Sequence, residues 1–73
     1  MKYEIQVEEV AGGVDGRYNT TAISLREARR ILRVALEHAA AGSAFGSRGV
    51  IFSGNAEVVS GFADADGKAK LAD

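Results

Sequence analysis

The chain has 73 residues, of which 47% are hydrophobic, and its formal net charge is -1 at pH 7. This length suits a single domain, residues 1–73, with one small core and no room for a separate cofactor-binding module. No apolar run approaches twenty residues, no cysteine is present and no signal-peptide pattern follows Lys2, so we expect a cytoplasmic protein with no membrane span, disulfide or thiolate metal site.

The N-terminal segment predicts a β-hairpin. Tyr3, Ile5 and Val7 alternate with polar and charged residues, which is the period-two pattern of a strand with one buried face. Residues 11–16 are rich in glycine, which tolerates positive φ. We therefore expect the chain to turn there and to pair again as a strand from Arg17 to Ile23.

A helix is predicted from Leu25 to Ala41. Ser24 followed by Glu27 forms a capping-box pattern, in which the serine hydroxyl accepts a hydrogen bond from the backbone N–H of Glu27. Ile23 stands before the cap, where it can pack on Ala28. The apolar positions recur with the 3.6-residue period of a helix; they are Leu25, Ala28, Leu32, Ala35, Leu36 and Ala39.

The C-terminal half predicts three further strands. Gly42 is expected to end the helix in the left-handed conformation, and Phe45 is expected to anchor the following connection in the core. The predicted strands run from Val50 to Ser53, from Ala56 to Ala63 and from Lys68 to Ala72, separated by glycine-containing turns. The predicted fold class is therefore α+β, with the order β-β-α-β-β-β and one helix packed across one face of an antiparallel sheet.

Four arginines of the predicted helix form a single stripe. Arg26, Arg29, Arg30 and Arg33 follow the i, i+3, i+4, i+7 spacing, beside the apolar face. Exposed helices often carry charge for solubility alone, and Arg33 with Glu37 or Glu27 with Arg30 would make ordinary surface pairs. Four cations on one side of a chain whose net charge is -1 favour instead a partner-binding site for nucleic acid or an acidic protein surface.

Other residue types do not converge on a chemical site. His38 is the only histidine; it is expected at the edge of the apolar helix face near Ile31, and one histidine does not make a metal site. Asp64 and Asp66 before Gly67 lack the remaining ligands of a calcium loop and suit a hairpin turn. No spacing joins a nucleophile to a base and an orienting group. We predict no enzymatic activity, no catalytic or metal-binding residues and no cofactor.

The beginning of the helix and the segments around it resemble a known family. The sequence Ala-Ile-Ser-Leu-Arg-Glu-Ala-Arg-Arg-Ile at 22–31, preceded by Lys-Tyr-Glu-Ile leading to Glu9-Val10 and followed by Asp66-Gly67-Lys68, resembles the small phage-encoded anti-CRISPR proteins of the ninth type I-F family. The resemblance implies a compact sheet with one helix. It also implies binding to the backbone subunits of an RNA-guided type I surveillance complex in the host cytoplasm, on the surface where target DNA would pair. Arg29 and Arg30 match the positive pair on the family's helix.

The leading hypothesis is therefore a non-catalytic inhibitor that binds such a complex through the arginine stripe and competes with target DNA. Two alternatives remain open: a small nucleic-acid-binding module, and a homo-oligomeric accessory protein that associates, as a homodimer for example, through an exposed strand. Tyr18 or Phe52 could stack on a base or a partner if either faces outward. Val34 could be an exposed apolar contact or be covered by a second copy.

Overall fold

The computed structural model describes residues 2–9, 17–41 and 45–72, which contain five strands and one helix. The elements are β1 (Tyr3–Glu9), β2 (Arg17–Ala22), α1 (Leu25–Ala41), β3 (Ser47–Ser53), β4 (Ala56–Ala63) and β5 (Ala69–Ala72). The α+β fold class and the order β-β-α-β-β-β are confirmed. The predicted turn at residues 11–16 and the predicted helix stop at Gly42 lie outside the described residues.

The strands form one antiparallel sheet in the order β2-β1-β3-β4-β5. β1 lies between β2 and β3, so that Ile5 is opposite Thr20 on one side and Ile51 on the other. The register between β3 and β4 shifts after Ile51, where Val58 is the additional residue. β3 begins at Ser47, three residues before the predicted Val50, because Ser47, Arg48 and Gly49 show no hydrophobic alternation but pair there with β1 and β4.

Helix α1 has the predicted bounds. Its N-terminus is capped by Ser24, whose Oγ accepts from the backbone N–H of Glu27 at 3.2 Å, which satisfies one of the amides that the first turn leaves unpaired. The apolar face packs on the sheet, with Ala28, Leu32, Leu36 and Ala40 buried.

The core lies between the helix and one face of the sheet. Ile5 and Val7 from β1, Ile51 from β3 and Val59 from β4 pack with the buried helix residues. Ser47 is a buried polar residue in this layer. Its Oγ donates to the backbone carbonyl of Leu36 at 2.6 Å, which ties β3 to the helix. The other face of the sheet is not covered by any described element.

The turn after β4 has the predicted hairpin form. The Asp64 carboxylate accepts from the backbone N–H groups of Asp66 and Lys68, at 3.0 and 3.2 Å. Gly67 has a φ of 85°, in the left-handed region that glycine enters at low cost. One oxygen of Asp64 therefore holds the backbone of the turn, as an Asx turn does.

Two predicted contacts are wrong. Phe45 does not anchor in the core, since it is 65% exposed; that end of the core is filled by small side chains, Ala40 and Ala63 among them, which are fully buried. Ile23 does not pack on Ala28, since it is 81% exposed. Ala22 takes the inward position at the end of β2, and the next side chain of an extended backbone points the opposite way.

Candidate binding surface on helix α1

The outer face of α1 presents the arginine stripe predicted from the sequence. Arg26, Arg30 and Arg33 are exposed. Arg30 points away from the sheet, about 160° from the buried Leu32 around the helix axis, whereas Arg26 and Arg33 flank the buried face at about 100–120° from Leu32. The first and the last of the three are separated by seven residues, which is about 10 Å along a helix.

The fourth member of the stripe, Arg29, lies at the border of the core. At 100° per residue it is about 60° from Leu32 around the helix axis, whereas Arg30 is about 160° from it. Arg29 is accordingly half-buried. Half-buried arginines can pack the alkyl part of the side chain along apolar surface, so the stripe consists of three exposed arginines and one at the edge of the core.

No described carboxylate forms an ion pair with the three outward arginines. Glu27 and Glu37 are exposed on the same helix. Even so, no ion pair joins a carboxylate to Arg26, Arg30 or Arg33 in the part of the chain that the structure describes. Each guanidinium carries five donors in a planar fork, which suits carboxylates and phosphates. The ion pairs Arg33–Glu37 and Glu27–Arg30, which would be typical of a face that serves solubility alone, are not formed.

An apolar groove, which the sequence did not predict, runs beside the stripe. It lies between α1 and the edge strand β2 and has a volume of about 600 Å³. Its lining residues are Tyr18, Arg30, Ile31, Val34, Ala35, His38 and Ala39. Val34 is 61% exposed and Tyr18 is 48% exposed, so the groove is open to a partner. Arg30 belongs to both surfaces and joins them.

Tyr18 and His38, both candidate residues of the sequence analysis, line the groove. Tyr18 is opposite Val7 and is therefore on the helix side of the sheet, where its ring lines the groove. His38 is exposed on α1 and lines the same groove with Ile31, as expected, but no carboxylate is among the lining residues. Among the described residues no three histidine, cysteine, aspartate or glutamate side chains form a group that could hold a metal ion.

The uncovered face of the sheet carries a second concavity, of about 660 Å³. Phe52 alternates with the buried Ile51 along β3 and so lies on this face, half-buried. Glu8 and Arg48 are directly opposite each other on β1 and β3, and the Arg48 Nε donates to the Glu8 carboxylate at 2.9 Å. Because both partners are substantially exposed, this pair stabilises the fold only weakly. It nevertheless offsets the charge of Arg48, in contrast to the outward arginines of α1.

Comparison of the chain with protein-family models, with curated proteins and with solved structures gives no match. In the described part of the chain no helix is long and apolar enough to cross a membrane.

Proposed function

We propose that this protein is a non-catalytic inhibitor of the anti-CRISPR type. It acts in the host cytoplasm, binds an RNA-guided type I surveillance complex through the outer face of α1, and blocks target DNA by occupying its binding surface. The observation that carries the proposal is the set of three outward arginines, Arg26, Arg30 and Arg33, which have no carboxylate partner among the described residues. These three positive charges lie on one helix of a chain whose formal net charge is -1.

The proposal draws on two independent supports. The sequence at 22–31 resembles the ninth type I-F anti-CRISPR family, and the compact sheet with one helix that this resemblance implies is compatible with the fold of this chain. The chemistry of the surface is the second support, because guanidinium forks bind the carboxylates of a protein or the phosphates of a guide RNA. A specific interface needs about 800 Å² per partner, which the helix face and the adjoining groove together can provide.

Size-exclusion chromatography with a purified type I surveillance complex tests the proposal directly. We expect the protein to co-elute with the complex and to be excluded when the complex has first been loaded with target DNA. Co-elution that loading leaves unchanged would contradict competition with DNA. Absence of co-elution with a panel of type I complexes would overturn the proposal.

A pair of charge-reversal variants tests whether the arginines make the contact. We expect Arg26→Glu with Arg30→Glu to abolish co-elution. The matched control is Lys68→Glu with Lys70→Glu, which changes the net charge by the same amount at exposed residues of the β5 end, and it should bind normally. Circular dichroism verifies the fold of each variant. Equal binding by both variants would exclude the arginine stripe from the interface.

A nucleic-acid-binding module is the second candidate, since the same exposed arginines can contact phosphates. Three phosphate contacts would give a slope of about −2.7 for log affinity against log salt concentration. Nitrocellulose filter binding with duplex DNA in rising salt measures this slope. Binding that stays tight at physiological salt would favour the module, whereas weak binding with co-elution would favour the inhibitor.

A further inference from the structure

No described element covers the outer face of the sheet, and the two ends of this face differ in charge. Phe62 of β4 is directly opposite Arg48 of β3 and Lys70 of β5. Residues that are directly opposite each other in an antiparallel sheet have their side chains on the same face, and Phe62 is 47% exposed. At this end, which we call the positive end, an exposed aromatic ring therefore lies between two cations.

At the other end of the face, an aromatic ring lies between two carboxylates. Phe52 of β3 is directly opposite Glu4 of β1 and Glu57 of β4, and both glutamates are exposed. The register shift between β3 and β4 places Glu57 there, because the additional residue Val58 packs against the core as Val59 does. We call this group the negative end.

The spacing of the two ends makes the face complementary to a second copy of itself. Val50 lies halfway between Arg48 and Phe52 on β3, and the four-residue step between these two spans about 13 Å. A two-fold axis that crosses the strands at Val50 exchanges the two ends between copies. Arg48 of each copy then lies over Phe52 of the other, between the two glutamates. Lys70 of each copy lies beside Glu57 of the other.

The same axis brings one pair of like charges together, Glu8 of one copy and Glu4 of the other. Each of these carboxylates already accepts a hydrogen bond in its own chain, Glu8 from the Arg48 Nε at 2.9 Å and Glu4 from the Gln6 amide at 2.8 Å. The opposite-charge contacts of Arg48 and Lys70 outnumber this one unfavourable contact. The arrangement is therefore electrostatically favourable as a whole.

The pattern of charge distinguishes a second copy from a nucleic acid. Phosphates would be attracted at the positive end and repelled at the negative end by Glu4 and Glu57. A partner that satisfies both ends needs one aromatic ring between cations and one between carboxylates, at the same spacing. The chain itself has this pattern, and a two-fold interface forms each complementary contact twice.

We propose that the outer face of the sheet is a homodimer interface, in which the positive end of each copy binds the negative end of the other. The concavity of this face, lined by Gln6, Val50 and Ser60 among others, lies between the two ends. Contact is therefore concentrated at the ends, and interfaces below about 1,200 Å² are typical of weak, reversible association. Helix α1 lies on the opposite side of the sheet and stays exposed in the dimer. The dimer goes beyond the proposed function and uses none of the residues assigned to it.

Sedimentation equilibrium of the intact protein tests the proposal. Between about 10 μM and about 1 mM we expect a reversible monomer–dimer equilibrium with a Kd below about 1 mM. Raising the salt concentration from about 0.05 M to about 0.5 M should weaken the dimer at least about threefold, because salt screens exposed charges. A protein that is still monomeric at about 1 mM, or a dimer whose Kd does not depend on salt, would overturn the proposal.

A charge-exchange experiment tests the contact between Glu57 and Lys70, which are both exposed. Glu57→Lys and Lys70→Glu each place like charges across the interface twice, so each variant alone should dimerise at least about tenfold more weakly. An equimolar mixture of the two variants restores both opposite-charge contacts and should form a heterodimer. The double variant should recover the homodimer. Circular dichroism verifies the folds; unchanged dimerisation of either single variant, or no recovery in the mixture, would overturn the proposal.

Val34→Ser is the matched control on the other side of the molecule. Val34 is 61% exposed on α1, so this substitution should change neither the fold nor the Kd of the dimer. A dimer that Val34→Ser dissociates would place the second copy at the apolar groove and would overturn the assignment to the outer face of the sheet.

The two proposals fail separately. A dimer that co-elutes with no surveillance complex would contradict the proposed function and leave the dimer interface intact. A protein that co-elutes with the complex and remains monomeric at about 1 mM would do the reverse.

Discussion

Gly49 of β3 and Gly61 of β4 are directly opposite each other in the sheet, beneath helix α1. A Cβ atom at Gly49 would lie 2.7 Å from the Leu32 Cδ1 atom, and one at Gly61 would lie 2.7 Å from the Leu36 Cδ1 atom. The absence of both side chains creates the depression into which the two leucines fit. Close packing of helix and sheet therefore depends on this glycine pair.

Alanine at the two glycines should have unequal effects. At Gly49 the new Cβ would also lie 2.7 Å from the backbone oxygen of Gln6, which cannot move without disturbing the pairing of β1 with β3. At Gly61 the nearest atoms are the ends of leucine side chains, which can rotate away. We expect Gly49→Ala to lower the free energy of unfolding by about 2–3 kcal/mol and Gly61→Ala by about 1 kcal/mol. Urea denaturation monitored by circular dichroism measures both; a Gly49→Ala protein as stable as Gly61→Ala would contradict the explanation.

Removal of the Ser47 hydroxyl should destabilise the protein. Ser47 is fully buried and its Oγ donates to the Leu36 carbonyl at 2.6 Å. We expect Ser47→Ala to cost about 1 kcal/mol. Ser60→Ala, on an exposed residue of β4, is the matched control and should change stability by less than about 0.5 kcal/mol. Equal denaturation midpoints for the two variants would show that the buried hydrogen bond does not contribute.

The Ser24 hydroxyl, which caps the N-terminus of α1, should also contribute to stability. Ser24→Ala removes the acceptor for the Glu27 N–H and should cost about 1 kcal/mol of stability. Ser24→Asp supplies a new acceptor and should restore most of the loss. Thermal unfolding of the three proteins makes the comparison, and failure of aspartate to rescue would argue against capping as the cause.

Two isoleucine-to-valine substitutions distinguish an exposed residue from a core residue. Ile51 is fully buried, whereas Ile23 is 81% exposed. We expect Ile51→Val to cost about 1 kcal/mol and Ile23→Val to have an effect below about 0.5 kcal/mol. A measurable loss of stability for Ile23→Val, determined by urea denaturation, would indicate that Ile23 packs on Ala28, a contact that the structure does not show.

Arg29 and Arg30 are neighbours in sequence but should respond differently to alanine substitution. Arg29 is half-buried and Arg30 is exposed, so Arg29→Ala should lower stability by about 1 kcal/mol through lost packing of its alkyl chain. Arg30→Ala should change stability by less than about 0.5 kcal/mol. Thermal unfolding separates the two, and equal shifts would show that Arg29 belongs to the outer face alone. The charge reversals for binding therefore use Arg26 and Arg30.

Much of the local structure could be predicted because it depends on interactions between residues that are close in sequence. The bounds of α1 and the acceptor role of Ser24 follow from helix periodicity and from a contact over three residues. β4 was predicted with its observed bounds because Val58 and Val59 lie between two recognisable turns. β3 was predicted too short, since Ser47, Arg48 and Gly49 acquire their strand conformation from pairing with β1 and β4.

The candidate site was predicted only in part. The arginine positions followed from spacing alone, and the border position of Arg29 is implicit in the same geometry. The groove could not be predicted, because Tyr18 and Val34 come together only when β2 pairs with β1 and α1 packs across the sheet. Phe45 was misplaced for a related reason, since hydrophobicity does not indicate whether neighbouring residues have already filled the core.

The sequence by itself determined the helix, its cap, the face that it buries and the positive stripe beside that face, because each depends on hydrogen bonds or side-chain spacing within a few residues. Only the tertiary structure decided that β1 lies between β2 and β3, that β2 remains an edge, and that an apolar groove joins Arg30 to Tyr18. Strand order and edge exposure are set by which long-range pairing buries the most apolar surface with its backbone hydrogen bonds satisfied. That balance is a property of the whole fold.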